Sequence, residues 1–492
     1  MKGKYNNKTN NSMEQHGQKL KIAFYGLFAF LWVSILSISS VYGQVNKEKK
    51  IDKTFTGKHV LEVNHKYGDM EVRASSDNSI KVDVRLSIEA KTEEDAQKVA
   101  DNFKMDFQES GENLAITTNF ETSNWNTNNG ITSIEFKDGS KVRGLKNIEL
   151  FFTLYVPRLE RLKLSNKYDD IRIYDDLTTD LSVELNSGVF QGENIKGNVT
   201  LDGKYSKMKM KNASGNIKVN LYDTDLDMGN AQKVDIISKY SGVILGDIAG
   251  ITHDSYDDNV KVGVNTGEFT LKTKYSEYTI NGATKADINS YDDVIDVGDV
   301  KGGLMIETKY SNLKVGTFTN ATINSYDDDI ILGGGEKSNL KVESKYSQYN
   351  ISKLDQLEFT GSYDDEMNIS ELGSFKAISK YSEFTIDRLD KSLSLSSNDD
   401  DLSVGQFGPK FTGATLDGKY STFDLKLPSG FKYQLEATMT YGKIEYPQDN
   451  FEYRVHIEKG DTREIKGKIK GATDSSPKIV ITDAHDCQVY LR

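Results

Sequence analysis

Short stretches of alternating apolar and polar residues run through most of this chain, and such alternation predicts half-buried β-strands. Around Tyr275 the alternation changes phase: Phe269 and Leu271 share one parity, whereas Tyr278 and Ile280 share the other. A strand cannot exchange its two faces without a bend. The pattern therefore predicts a corner at the tripeptide Lys-Tyr-Ser that separates the two strands.

This corner recurs at regular intervals. The tyrosines of Lys-Tyr-Ser are Tyr205, Tyr240, Tyr275, Tyr310, Tyr346, Tyr381 and Tyr420, spaced by 35 to 39 residues. A second mark, Ser-Tyr-Asp-Asp, lies between them at Tyr256, Tyr291, Tyr326 and Tyr363, with a Ser-Asn-Asp-Asp variant at Asn398. We therefore predict an all-β fold, a single-stranded parallel β-helix with 17–18 residues per coil in a 35-residue double repeat. A β-propeller is disfavoured because its blades need about 40 residues in four antiparallel strands.

Stacked coils should bring equivalent positions into register. The second residue after each Lys-Tyr-Ser serine is apolar or aromatic, and we expect these residues to form one inward column: Met208, Val243, Tyr278, Leu313, Tyr349, Phe384 and Phe423. This column would be part of the core of the solenoid.

The two ends depart from the repeat. Residues 44–160 predict an N-terminal capping region with strands, one short helix capped by Thr92, and a loop or hairpin from Glu121 to Gly139. Residues 161–427 predict the regular coils. Residues 428–492, where the repeat decays, predict capping coils that protect the last strand edge from pairing with other chains.

The segment Val60 to Val72, the helix at Glu93, the strand ending at Pro157 and the mark Lys167-Tyr168-Asp169-Asp170 resemble the putative-adhesin, β-strand-repeat domains of unknown function in exported proteins, notably of the Bacteroidota. The resemblance covers about residue 50 to the end. It implies a right-handed β-helix in the periplasm, at the outer surface or outside the cell, and carries no catalytic residues.

The first 43 residues predict a signal peptide. Lys19 and Lys21 precede an apolar run from Ile22 to Ile38, and Val41 and Gly43 suit cleavage before Gln44. An uncleaved anchor is the alternative, since about 17 apolar residues approach the length of a membrane span. After cleavage we expect no membrane contact.

The net charge argues against one class of partner, and the cysteine content excludes an intrachain disulfide. The net charge of −12 argues against nucleic acid, which attracts basic surfaces. Cys487 is the sole cysteine, so this sequence forms no intrachain disulfide. We expect Cys487 to be a buried apolar residue near the last strands.

The paired aspartates are the candidate metal ligands. An aspartate pair with backbone carbonyls could hold Ca²⁺, and the candidates are Asp257, Asp258, Asp292, Asp293, Asp327, Asp328, Asp364 and Asp365. The alternative is an ionic ladder that fixes coil register, with lysines of the intervening coils beside the acids: Lys239, Lys274, Lys309, Lys345 and Lys380. No cofactor other than Ca²⁺ is expected.

The tyrosines of the corner are the candidate binding edge. A row of aromatic side chains could stack on sugars or pack on a protein, and the row comprises Tyr240, Tyr275, Tyr310, Tyr346 and Tyr381. The alternative is that the rings only cover the corner.

We predict an exported, non-enzymatic, adhesin-like scaffold that contacts a protein or glycan. A carbohydrate-active β-helix enzyme, with a cleft near Glu121 to Gly139, is one alternative. A purely structural or signalling protein of the cell envelope is another. The sequence contains none of the common nucleophile, zinc or phosphate-binding motifs.

Overall fold

Each coil consists of two strands joined at the corner that the sequence marks. The structure is a computed structural model that describes residues 44–492, and the signal peptide predicted for residues 1–43 lies outside the described residues. The described part is nearly all β and contains a parallel solenoid of about 15 turns, which confirms the predicted fold class. Within this part, no helix is long and apolar enough to cross a membrane.

The N-terminal region contains ten strands and one helix. They are β1 (Val45–Thr56), β2 (Val60–Asn64), β3 (Asp69–Ala74), β4 (Ser79–Ala90), α1 (Glu93–Asn102), β5 (Phe103–Ser110), β6 (Asn113–Phe120), β7 (Thr122–Asn128), β8 (Ile131–Phe136), β9 (Lys141–Leu145) and β10 (Asn147–Val156).

The solenoid begins inside this region. Strands β2 and β3 pair in parallel with the first strands of the regular coils, so they form a coil of their own. Outside them, β10 pairs with β4 and β4 with β1, both antiparallel. Among the described residues β1 pairs only with β4, and its lysines at positions 47, 49, 50 and 53 place charge on this edge, which discourages further pairing.

Two predictions for the N-terminal region can be compared directly with the structure. The Thr92 side chain accepts a hydrogen bond from the Asp95 N–H, which makes it the N-cap of α1 as predicted. The segment from Glu121 to Gly139 is a hairpin, because β7 and β8 pair antiparallel and β9 completes a three-stranded sheet.

The regular coils follow as twenty-four strands. They are β11 (Arg161–Lys167), β12 (Ile171–Ile173), β13 (Asp180–Asn186), β14 (Val189–Gly192), β15 (Val199–Lys204), β16 (Lys207–Met210), β17 (Ile217–Tyr222), β18 (Asp225–Met228), β19 (Ala231–Lys239), β20 (Gly242–Leu245), β21 (Ile248–Tyr256), β22 (Asn259–Lys274), β23 (Glu277–Tyr291), β24 (Val294–Lys309), β25 (Asn312–Val315), β26 (Phe318–Tyr326), β27 (Asp329–Gly334), β28 (Asn339–Lys345), β29 (Gln348–Tyr363), β30 (Glu366–Lys380), β31 (Glu383–Asn398), β32 (Asp401–Val404), β33 (Gly413–Lys419) and β34 (Thr422–Leu425).

The register of these coils offsets the two sequence marks by one residue. Lys274 of Lys-Tyr-Ser pairs with Tyr256 on one side and Tyr291 on the other, both from Ser-Tyr-Asp-Asp. Tyr275 therefore lies level with the first aspartate of each neighbouring mark. The predicted inward column is confirmed, since all seven of its side chains are buried.

The corner residue itself has a left-handed backbone in every regular coil from Tyr205 to Tyr420. Its φ lies between 49° and 62° at thirteen successive corners, where tyrosine and aspartate alternate. Aspartate tolerates this conformation, whereas a bulky tyrosine there is unusual. The corners are thus built from a strained conformation that is repeated at each coil.

The C-terminal region closes the solenoid with six strands and one 3₁₀ turn. They are β35 (Gln434–Thr440), β36 (Lys443–Glu445), the turn Gln448–Asn450, β37 (Phe451–Lys459), β38 (Thr462–Ile469), β39 (Lys478–His485) and β40 (Gln488–Leu491).

The last coil in sequence is not the last coil in space. Strand β39 pairs in parallel with β33 on one side and β35 on the other, and β40 lies between β34 and β36. The coil of β35 and β36 is therefore outermost, where β38 and then β37 continue β35 in antiparallel fashion. Cys487 is fully buried between β39 and β40, as predicted.

Candidate functional site

A continuous row of tyrosine rings follows the outer side of the corner. Ten successive pairs of rings have centroids 5.4–5.9 Å apart and interplanar angles of 77–87°. We call this row the tyrosine ladder: Tyr205, Tyr222, Tyr240, Tyr256, Tyr275, Tyr291, Tyr310, Tyr326, Tyr346, Tyr363 and Tyr381. At about 4.8 Å per coil, its ten steps span about 48 Å.

The ladder places all five tyrosines of the predicted binding edge in one row. These five, Tyr240, Tyr275, Tyr310, Tyr346 and Tyr381, are 42–47% exposed. Their function as a binding edge stays a prediction. Sequence reasoning missed the interleaved tyrosines of Ser-Tyr-Asp-Asp, because the one-residue offset between the marks hid that their rings meet those of Lys-Tyr-Ser.

The ladder continues in altered form beyond its ends. Asn398 interrupts it after Tyr381, and His485 then contacts both Tyr420 and Tyr441 through edge-to-face pairs. Near the N-terminus, Tyr67 stacks on Trp125 and on Tyr168, with ring centroids 4.9 and 5.4 Å apart.

The strain of the left-handed tyrosines and the energy gained from ring pairing nearly cancel in the ladder. A left-handed backbone costs a residue with a side chain about 1–2 kcal/mol. Each tyrosine inside the ladder makes two edge-to-face pairs, each contributing about 0.5–1.5 kcal/mol. The pairs thus roughly offset the strain of the left-handed tyrosines, and glycine or asparagine would be less strained there. The net gain in stability is too small to explain why a ring occupies so many corners.

The inner side of the same corner is a hydrogen-bonded column. The residue after each left-handed corner is buried, and its N–H donates to the side-chain oxygen of the equivalent residue one coil further on. This inner column comprises Ser206, Thr224, Ser241, Asp258, Ser276, Asp293, Ser311, Asp328, Ser347, Asp365, Ser382, Asp400 and Ser421. It therefore connects thirteen coils without a break.

The environment of Asp293 illustrates how a carboxylate is held there. Its Oδ1 accepts hydrogen bonds from the Ser276 N–H at 2.7 Å and the Thr273 hydroxyl at 3.2 Å, and its Oδ2 accepts one from the Tyr291 N–H at 2.8 Å. Burial nevertheless raises the pKa of Asp293 to about 6. The pKa of Asp328 is likewise about 6, and burial also raises the pKa values of Asp365 and Asp400.

The eight predicted calcium ligands therefore fall into two groups. Asp258, Asp293, Asp328 and Asp365 belong to the inner column, where their oxygens accept N–H and O–H donors. The other four are exposed corner residues: Asp257, Asp292, Asp327 and Asp364. Calcium binding stays a prediction, and the geometry limits it to the exposed group.

The expected ionic ladder is not what sets the register. Among residues 44–492, no salt bridge joins the five corner lysines to the paired aspartates. Lys274 lies instead 5.5 Å from the ring centroid of Tyr291, and Lys380 lies 4.6 Å from that of Tyr381. The ionic-ladder interpretation was wrong because the second aspartate of each pair points inward, where serine N–H groups satisfy it.

A serine, a histidine and an aspartate also meet inside the solenoid. The Ser238 hydroxyl lies 2.7 Å from both His253 Nε2 and Asp258 Oδ2, and His253 Nδ1 lies 3.0 Å from the Tyr278 hydroxyl. A carboxylate only accepts, so the Ser238 hydroxyl donates to Asp258 and His253 Nε2–H donates to Ser238. Burial lowers the pKa of His253 to about 3, so the ring is neutral.

This cluster does not have the geometry of a nucleophile and its base. In such a pair the serine hydroxyl donates to the histidine, whereas here the hydrogen bond runs the other way. All four side chains are at most 4% exposed, so a substrate has no access to Ser238. The cluster is a buried polar network.

No protein-family model and no curated protein matches the chain. Solved structures similar to it include one described as a putative cell adhesion protein from Clostridium sporogenes, with 9% identity, a TM-score of 0.14 and coverage of 91% of this chain and 100% of that chain.

Two further structures come from Bacteroides fragilis and Parabacteroides distasonis. The first is described as a putative adhesin, with 12% identity, a TM-score of 0.17 and coverage of 63% of this chain and 97% of that one. The second is described as a putative lipid binding protein, with 8% identity, a TM-score of 0.15 and coverage of 68% and 94%. At these TM-scores the three structures carry no argument about function.

Proposed function

We propose that this protein is an adhesin-like, non-enzymatic scaffold that acts outside the cytoplasm and binds an extended glycan along the tyrosine ladder. The observation that carries the proposal is the left-handed tyrosine at every second corner. Strained residues persist where the side chain has a use, and the stability gained from ring pairing only offsets the strain.

The surroundings of the ladder suit a polymer of sugars. Half-exposed rings offer apolar surface to the faces of sugar rings, and exposed aspartates and lysines beside them can hydrogen-bond to hydroxyl groups. Because the pattern repeats at every second coil, sugars bound two coils apart would meet equivalent contacts. An exposed protein strand is the second partner class that such a surface could take.

A binding assay with two matched variants tests the proposal. The first variant is Tyr275→Asn, Tyr310→Asn and Tyr346→Asn, because asparagine tolerates the left-handed backbone. The control changes three exposed aromatic residues outside the ladder to asparagine: Phe151, Tyr155 and Tyr174. Both variants and the unmodified protein are applied to an array of immobilised polysaccharides.

We expect the unmodified protein and the control to retain the same glycan, and the ladder variant to lose it. Equal binding by all three proteins would show that the ladder is not the contact surface. Retention of no glycan by the unmodified protein would overturn the glycan assignment, and the same variants would then be tested against cell-surface proteins.

A further inference from the structure

The ladder has a chemical property that does not depend on any partner. Each ring contacts the rings of the coils before and after it, so the phenols form an unbroken series from Tyr205 to Tyr381. Tyrosine is among the side chains that one-electron oxidants attack most readily. Neighbouring phenols in contact can couple once both are oxidised.

An exposed aspartate of the neighbouring coil lies level with each of four tyrosines of Lys-Tyr-Ser, as Asp292 does with Tyr275. Burial against neighbouring rings raises the pKa of Tyr275, and the charges of Tyr291 and Asp292 add to the rise. The same relation holds for Tyr240 with Asp257, Tyr310 with Asp327, and Tyr346 with Asp364. These phenols are therefore protonated at neutral pH, and each has an exposed carboxylate within electrostatic reach.

We propose that the tyrosine ladder is a site of oxidative modification, at which a peroxidase-type one-electron oxidant joins tyrosines of successive coils as dityrosine. Each of two neighbouring phenols loses one electron to the oxidant and one proton to water. The two phenoxyl radicals form one carbon–carbon bond ortho to the oxygens, and both rings regain aromaticity when the ring hydrogens move to oxygen. Two tyrosines thus give one dityrosine, and the two electrons and two protons that they release reduce one hydrogen peroxide to two water molecules.

Such a bond would link neighbouring coils covalently along the axis of the solenoid. The chain contains one cysteine and cannot form an intrachain disulfide. A bond between Tyr275 and Tyr291 closes a loop across one coil boundary. A covalent link of this kind stabilises mainly by restricting the unfolded chain, as a disulfide does.

Photo-oxidation of the full-length protein by a ruthenium tris-bipyridine complex with persulfate tests the proposal, with products identified by peptide mass spectrometry. We expect dityrosine between ladder neighbours, including Tyr275 with Tyr291, and an upward shift in the melting temperature. In Tyr291→Phe, which keeps the ring but lacks the phenol oxygen, we expect loss of both bonds to position 291. The bond between Tyr240 and Tyr256 should persist.

Tyr155→Phe is the matched control, since Tyr155 is exposed outside the ladder and its substitution should leave every ladder bond unchanged. Cross-links or oxidised tyrosines distributed over Tyr155, Tyr174 and Tyr453 according to exposure alone would overturn the proposal. Oxidation of ladder tyrosines without cross-links would overturn it as well. Neither result depends on whether the ladder binds a glycan.

Discussion

The inner and outer sides of the corner are built from adjacent residues and yet have different roles. On the inner side, Asp293 is 2% exposed and its oxygens accept three hydrogen bonds. On the outer side, Asp292 is exposed and takes part in no salt bridge within residues 44–492. Two neighbouring aspartates of one mark thus differ in burial and in hydrogen bonding. The fold depends on the inner residue, and the outer residue is available for contacts with other molecules.

The largest expected difference between the two sides comes from removing each carboxylate. Asp293→Ala leaves the N–H groups of Ser276 and Tyr291 and the Thr273 hydroxyl without an acceptor. Each buried unsatisfied group costs about 1–3 kcal/mol, so we expect the free energy of unfolding to fall by about 3 kcal/mol or more. Urea unfolding measures the loss.

Asp292→Asn is the control on the outer side. It removes an exposed charge and keeps a residue that tolerates the left-handed backbone, so we expect a change within about 0.5 kcal/mol. Equal losses in Asp292→Asn and Asp293→Ala would contradict the division between the two sides.

An intermediate effect is expected from the ladder itself. Tyr291→Ala removes the edge-to-face pairs with Tyr275 and Tyr310, which together contribute about 1–3 kcal/mol. We therefore expect a loss of about 2 kcal/mol in the same assay. Tyr291→Phe keeps both ring contacts and should lose little. If phenylalanine were as destabilising as alanine, the phenol oxygen rather than the ring would stabilise the row.

The smallest expected effect per site concerns pH. The pKa of Asp293 and of Asp328 is about 6 in the folded protein, against 3.8 for an ordinary aspartate side chain. Because the folded value is the higher one, these groups contribute most stability below pH 3.8 and lose it as the pH rises through 6. Linkage gives a contribution about 1 kcal/mol larger per site at pH 5 than at pH 8.

Two buried histidines titrate in the opposite sense and require a control. The pKa values of His65 and His253 are about 4 and 3, below the ordinary 6.5, so their contribution is lost as the pH falls below 6.5. The protein is therefore compared with the double variant Asp293→Asn, Asp328→Asn, which keeps both histidines. We expect acidification from pH 8 to pH 5 to favour the unmodified protein by about 1 kcal/mol per site over the variant. Parallel pH profiles would contradict the raised values.

The repeat period and the phase change at each mark were enough to predict coils, corners and the inward column. These features depend on local alternation, which a sequence displays directly. The tyrosine ladder was only half predicted, because Tyr291 enters it through a register that pairs it with Lys274 and not with Tyr275. Register is a property of two coils, and a single coil does not reveal it.

The inner column was misinterpreted for a related reason. In a sequence, Asp292 and Asp293 look equivalent, and the charge of Lys274 suggests an ion pair. The left-handed backbone at Asp292 turns the next side chain inward, towards the Ser276 N–H. A signal was present: a serine follows every left-handed tyrosine from Tyr205 to Tyr420, whereas an aspartate follows every left-handed aspartate from Asp257 to Asp399. The position of the last coil had no such local signal.

The placement of β39 and β40 has a consequence for how the chain is completed during synthesis. Strand β39 lies between β33 and β35 and pairs with both, although it is synthesised after them. Until residues 478–491 emerge, the strand edges of two coils face a gap the width of one strand. The coil of β39 and β40 thus fills the space between two coils that are synthesised before it. A chain truncated before Lys478 would leave the strand edges of both coils open to pairing with other chains.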